Sequence, residues 1–231
     1  MKTLGLIGGM SWESTAIYYR LLNEGAKDRL GGLHSAQLLL WSFDFAAVAA
    51  RQASGDWDGL AAMMTAAARR LEEGGAEALV ICTNTMHKLA PAMERGIGIP
   101  IVHIVDATAA AVLATASRRP ALLATRYTME QDFYTGRMAE RFGVEPLVPD
   151  ADGRTLVHGI IYDELCRGIV RPESKRAYLA ELEKLRKRGA DGVIFGCTEV
   201  GMILSQNDFD DWPVFDSTAL HAAAALDFAI G

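Results

Sequence analysis

GAEALVICTNTMH, residues 75–87, and GADGVIFGCTEVG, residues 189–201, share one design. Each is an apolar run of strand length that starts at a glycine and leaves into a polar loop carrying a cysteine. At a fixed offset of 114 residues, with no gap, Leu71, Gly75, Ala76, Glu77 and Val80 fall on Leu185, Gly189, Ala190, Asp191 and Ile194. The cysteines do not coincide: Thr83 falls on Cys197, and Cys82 falls on Gly196. Side chains alternate between the faces of a strand, so a shift of one residue turns Cys82 to the opposite face. At this level Cys82 stays undecided, and two registers are open.

The same grammar runs outward from these two stretches. KTLGLIG, AQLLLWSFD, ALVICTN, PIVHIVD, RPALLATR, VEPLVP, GVIFGCT and PVFDST are short apolar runs. Between them lie segments such as Trp57 to Leu71 and Lys175 to Arg188, with apolar residues three and four apart. Such alternation predicts βαβ units and parallel sheets covered on both faces. Asp106-Ala107-Thr108-Ala109 also echoes Asp216-Ser217-Thr218-Ala219, and GLIGGMS near the start loosely matches ALLATRYT at 121–128. Three echoes in one order predict an α/β chain of two similar lobes related by a pseudo-twofold axis. Lobe one is expected over 1–112 plus 209–231, and lobe two over 113–208. Ligands of open parallel sheets bind at the carboxyl ends of the strands. The active site is therefore expected between the lobes, with Cys197 opposite the 82–85 loop.

Bulk properties remove several classes. The 231 residues are 50% hydrophobic and 23% charged with a net charge of −6, which suits a globular chain and gives no basic face for nucleic acid. The one dense basic cluster, Lys184 to Arg188, reads as a solvated helix end beside Glu181 and Glu183. No signal-peptide apolar core and no membrane-length apolar run occur. Three widely spaced cysteines suit a reducing cytoplasm rather than a disulfide framework, and they lack the close Cys/His pairs of a zinc site.

Among candidate site residues, Gly5, Gly8 and Gly9 lack dinucleotide-loop spacing. They read either as a turn where backbone approaches a small ligand or as plain strand–helix packing. Cys197, at a strand's carboxyl end and followed by Thr198 and Glu199, reads as functional, whereas Cys166 in GIIYDELCRG reads as core. His87 stands near the 82–85 loop. His34, His103, His158 and His221 read as structural, and Asp106 and Asp216 as strand ends that cap the next helix.

Two α/β lobes, ICTNTMHK, GVIFGCTE and the supporting GLIGGMSWEST together resemble the aspartate/glutamate racemase superfamily over nearly the whole chain. The resemblance is to the aspartate racemase branch. Cell-wall glutamate racemases carry Cys-Thr-His where this chain has Cys197-Thr198-Glu199, and an acidic residue in the loop that reads Gly9-Met10-Ser11 here. The resemblance implies amino-acid racemisation without cofactor or metal, by two cysteines on opposite faces of the α-carbon, in a protein that often forms a homodimer. It also implies that Asn84, Thr85, Thr125, Thr198 and Glu199 hold the substrate's carboxylate and amino groups, with Met10 and Gln52 lining the cleft. A base poised as thiolate is expected, favoured by nearby donors.

The family's first catalytic cysteine directly precedes Asn-Thr, and here that residue is Thr83. The resemblance thus narrows to a sub-branch with a Thr/Cys pair selective for L-aspartate and L-glutamate. It implies Thr83 and Cys197 as the catalytic pair, with Cys197 the base for the L-enantiomer. Aspartate-specific relatives grip the distal carboxylate with basic side chains near Arg51-Gln52 and on the helix that here reads IIYDELCRG. Asp163 and Glu164 stand where a lysine is expected, which keeps open a broader racemase acting on side chains such as homoserine. Hydantoin racemases, maleate isomerases and arylmalonate decarboxylases share the two-lobe plan, and a catalytically reduced amino-acid-binding protein is a further alternative.

Overall fold

A computed structural model describes residues 1–231, and the chain divides into two α/β units. Unit one comprises Met1–His103 with His221–Gly231, and unit two Ile104–Leu220. Each contains one parallel sheet.

In unit one the strands β1 (Leu4–Gly8), β2 (Leu38–Ser42), β3 (Ala78–Ile81) and β4 (Ile101–Val102) are ordered β2-β1-β3-β4. β1 pairs with β3 in the register Leu4 to Ala78, Leu6 to Val80 and Ile7 to Ile81. The two faces of this sheet sort by parity. Leu4, Leu6, Ala78, Val80 and Cys82 pack with Tyr18 and Leu22 of α1 (Trp12–Leu30) and with Ala222, Ala225 and Leu226 of α10 (Ser217–Ile230). Ile7, Leu79 and Ile81 pack instead with Val48 of α2 (Phe45–Ser54) and with Leu60, Met64, Ala68 and Leu71 of α3 (Trp57–Glu73). A sheet covered on both faces buries every strand position, which is why its strands read as continuous apolar runs. A short helix, α4 (Ala90–Glu94), follows a 3-10 turn at Thr85–Leu89.

Unit two has the order β5-β6-β7, with β5 (Ala121–Leu123), β6 (Val193–Phe195) and β7 (Val214–Asp216) all parallel. Around this sheet lie α5 (Ile104–Leu113), α6 (Arg126–Glu130), α7 (Asp132–Phe142), α8 (Ala151–Asp163) and α9 (Pro172–Lys187). The expected strand VEPLVP contributes only a bridge from Leu147 to Ala121. Chain assigned from sequence to lobe one at 104–112 and 209–220 instead belongs to unit two. Ile104, Val105, Ala109 and Val112 of α5, with Phe209, Trp212 and Phe215, join the core around β5 and β6.

Polar side chains start most of the helices. Ser11, Asp44, Asp56, Thr125 and Asp150 each accept a backbone N–H from the first turn of the helix that follows, satisfying donors with no partner inside the helix. Asp216 does the same for Thr218 and Ala219 at 2.9 and 3.2 Å, as its position at a strand end predicts. Asp106 does not. The strand in PIVHIVD stops at Val102, Asp106 lies in the first turn of α5, and its carboxylate takes a bidentate bond from Arg137 at 2.6 and 2.7 Å. No helix is long and apolar enough to cross a membrane.

Candidate functional site

Each unit gathers its share of the expected residues beyond the carboxyl ends of its own strands. In unit one, Met10 follows β1, and Thr83, Asn84 and Thr85 follow β3. Gln52 reaches the latter group from α2, its Nε2 lying 3.3 Å from Met86 Sδ. Met10, Gln52, Asn84 and Thr85 are buried, and Thr83 is half-buried. Cys82 is 0% exposed and continues the Ala78–Val80 side of β3 into the apolar layer under α1 and α10. Burial pushes its thiol far above the ordinary range, so it stays protonated.

The glycines after β1 are explained by packing. A Cβ on Gly8 stands 2.5 Å from both Cγ2 and Oγ1 of Thr15, and one on Gly9, at φ +78°, collides with the Phe43 backbone. Thr15 Oγ1 accepts the Gly9 N–H at 2.8 Å and donates to Ser11 O at 2.9 Å.

In unit two, Thr125 follows β5 and Cys197, Thr198 and Glu199 follow β6. Thr125 is the N-cap of α6, and its hydroxyl lies 3.3 Å from that of Thr128. Thr198 Oγ1 accepts from Thr218 Oγ1 at 3.3 Å. Cys197 is the N-cap of the 3-10 turn Thr198–Met202, which brings the side chain two residues on back beside it. Its Sγ donates to Glu199 Oε2 at 2.8 Å. Desolvation first, and then the negative charge of Glu199, hold the Cys197 thiol well above its ordinary range. The donor expected beside the thiol is not what the sulfur meets: the group bonded to it is an acceptor, the Glu199 carboxylate.

Several flanking residues escaped the sequence reading. Ser14 Oγ donates to Cys82 O at 2.9 Å, and Ser217 Oγ donates to Phe195 O at 2.6 Å, so a helix-start serine ties down the strand end before each loop. Tyr162, whose phenol burial pushes up, has its ring 4.6 Å from that of His158. The signal was present as the four-residue spacing of His158 and Tyr162, which puts both on one face of α8.

Two charged groups expected near a distal carboxylate are engaged elsewhere. Arg51 pairs with Asp56 at the start of α3. Glu164 accepts from Ser174 Oγ at 2.5 Å and lies 3.6 Å from Arg171. No group of three or more His, Cys, Asp or Glu side chains is placed to hold a metal ion.

The family profile for Asp/Glu/hydantoin racemases matches residues 7–225. A candidate Asp/Glu racemase from Yersinia pestis is 49% identical, with 100% of both chains covered and a TM-score of 0.93. An aspartate racemase homologue from Pyrococcus horikoshii OT3 is 32% identical, again over 100% of both chains, with a TM-score of 0.86. Picrophilus torridus aspartate racemase shares the fold at 20% identity, over 99% of this chain and 94% of that one, with a TM-score of 0.77.

Proposed function

The chain belongs to the Asp/Glu/hydantoin racemase family and is an amino-acid racemase, an isomerase; on that premise we propose that it inverts aspartate and glutamate without a cofactor, Cys197 removing the α-proton of the L-enantiomer and Thr83 serving the opposite face. The observation that carries this reading is the Cys197–Glu199 pair at the end of β6, a thiol already bonded to a proton acceptor. The half-buried Thr83, beside a Cys82 that is sealed in the core, supports the lopsided pair. The family and the two relatives above, a candidate Asp/Glu racemase and an aspartate racemase homologue, support acidic substrates. Three free cysteines fit a reducing compartment, the cytoplasm.

Cys197 becomes a base by passing its proton to Glu199. The thiolate then takes the α-proton, and the bonding pair moves into the substrate carboxylate, whose growing charge Asn84, Thr85, Thr125 and Thr198 stabilise as donors. Delivery of a proton on the other face through Thr83, replaced from solvent, completes the inversion, and Glu199 returns the proton it took from Cys197 to solvent, so that one proton enters and one leaves per turnover. The step is asymmetric. An aliphatic hydroxyl ionises far less readily than a thiol, even one that burial holds above its ordinary range. Thr83 relays protons far better than it abstracts them.

Incubation of each enantiomer in deuterated water tests this. L-substrate exchanges its α-proton faster than it inverts, and D-substrate exchanges no faster than it inverts. Equal exchange from both enantiomers overturns the assignment.

One observation favours a second reading. With Arg51 held by Asp56 and Glu164 held by Ser174 and Arg171, buried Gln52 is a neutral partner suited to a hydroxyl side chain such as homoserine. Ratios of kcat/KM for L-aspartate, L-glutamate and L-homoserine separate the two.

A further inference from the structure

Three histidines lie ring to ring inside unit one, behind the Thr83–Thr85 loop. His87, His103 and His221 are 1%, 8% and 0% exposed, and come from the 3-10 turn, the end of β4 and α10. The His87 ring centroid lies 4.8 Å from that of His103 and 5.3 Å from that of His221, both pairs edge to face. The hydrogen bonds assign two tautomers. A backbone carbonyl only accepts, so His221 Nε2, 2.7 Å from Val102 O, carries its hydrogen, and Nδ1 accepts from Tyr18 Oη at 2.8 Å. By the same logic His87 Nδ1, 2.8 Å from Thr83 O, is a donor.

That last bond replaces one the backbone does not make. Because residues 85–89 form a 3-10 turn, the His87 amide donates three residues back, to Asn84 O at 3.1 Å. An α-helical turn would have sent it to Thr83 O instead. The imidazole of His87 supplies the Thr83 carbonyl with the missing donor, and the rings of His103 and His221 fix where that imidazole stands.

We propose that His87 is the positioning residue of the Thr83–Thr85 loop, its Nδ1–H holding the Thr83 carbonyl so that the Thr83 hydroxyl and the Asn84 and Thr85 donors keep their directions. The proposal rests on the role given to Thr83 above, and its test separates the two. Asparagine places an amide N–H close to where imidazole Nδ1–H stands, whereas phenylalanine keeps the ring volume and removes the donor.

Amide hydrogen exchange at residues 84–86 reads the loop directly. His87→Phe raises exchange there by about tenfold or more, and His87→Asn restores protection. In kinetics, His87→Phe lowers kcat for inversion by about tenfold or more, and lowers kcat for L-face proton exchange through Cys197 by a smaller factor, because both need the Asn84 and Thr85 donors and only inversion also needs Thr83; His87→Asn restores both. Unchanged loop protection in His87→Phe overturns the proposal whatever Thr83 does. So does a loss of inversion and L-face exchange in equal measure with no rescue by His87→Asn, the mark of a purely structural role. If loop protection falls and is rescued but Thr83→Val inverts substrate at the wild-type rate, His87 still positions the loop and the Thr83 reading is the one that fails.

Discussion

The thiol of Cys197 and the carboxylate of Glu199 lie 2.8 Å apart at the start of one 3-10 turn, and the carboxylate acts on the thiol in two opposed ways. The carboxylate disfavours a thiolate beside it, yet it is also the nearest acceptor for the proton the thiolate must lose. These effects separate in Glu199→Gln. Removing the negative charge lowers the Cys197 pKa, although burial, the larger cause, still holds it up. Alkylation of Cys197 by iodoacetamide at pH 8, followed by peptide mapping, should accelerate by on the order of tenfold. Racemisation should fall by about a hundredfold, because the proton acceptor is lost. Faster alkylation with unimpaired racemisation would show that Glu199 is only a neighbour.

Cys82 poses the complementary case. It is packed with Leu4, Leu6, Val80 and Tyr18, and its side chain has no exposed surface. Cys82→Ala should cost about 1–2 kcal/mol of stability through the small cavity it leaves, and leave kcat within about twofold. Cys197→Ala should abolish inversion and L-face exchange with little change in denaturation midpoint. Loss of activity in a folded Cys82→Ala would put the wrong residue of ICTNT in the site.

The histidine cluster gives a pH dependence of stability with a defined sign. Burial holds His221 down at about 4 and His87 well below its ordinary 6.5, so in the folded protein both stay neutral where the unfolded chain takes up protons. Stability is then full above about pH 6.5 and falls as the pH drops toward 4, by about 3 kcal/mol from His221 alone. Asp216, whose carboxyl burial pushes up, acts in the opposite sense above 3.8 and offsets part of the loss. Urea denaturation at pH 4.5, 5.5 and 6.5 measures the slope, which His221→Phe should reduce by about 1.4 kcal/mol per pH unit. An unchanged slope in that variant would mean that His221 is charged inside the fold.

The repeat between residues 71–80 and 185–194 made two parallel α/β units legible, because strands covered on both faces must be apolar throughout and their ends must turn at glycine. The parity of β3, which sends Cys82 inward, could be read from the same alignment. What sequence did not disclose depends on how loops close. Nothing local says that residues 85–89 wind as a 3-10 turn, so the reach of His87 back to Thr83 O was invisible. The return of Glu199 onto Cys197 is likewise a property of turn geometry, and it puts an acceptor beside the thiol where a donor was expected. The unit borders shifted for a similar reason: α5 follows a strand of lobe one in sequence, but it packs with α7 and β7 in the core of unit two.

Thr83→Cys tests the asymmetry from the other side. The backbone carbonyl that His87 holds is unaffected by the substitution, so the loop should keep its form. A thiol in place of a hydroxyl lowers the cost of forming a base on this face by several pKa units, even after burial takes back part of the gain. Exchange of the α-proton from D-substrate should therefore rise by about tenfold or more, while exchange from L-substrate through Cys197 stays within about threefold. Racemisation in the two directions must rise by the same factor in kcat/KM, since enantiomers have equal free energy and share every transition state. The measurement is deuterium incorporation into each enantiomer, read by mass spectrometry before equilibrium. A rise in L-exchange with D-exchange unchanged would assign Thr83 to the L face and interchange the two roles.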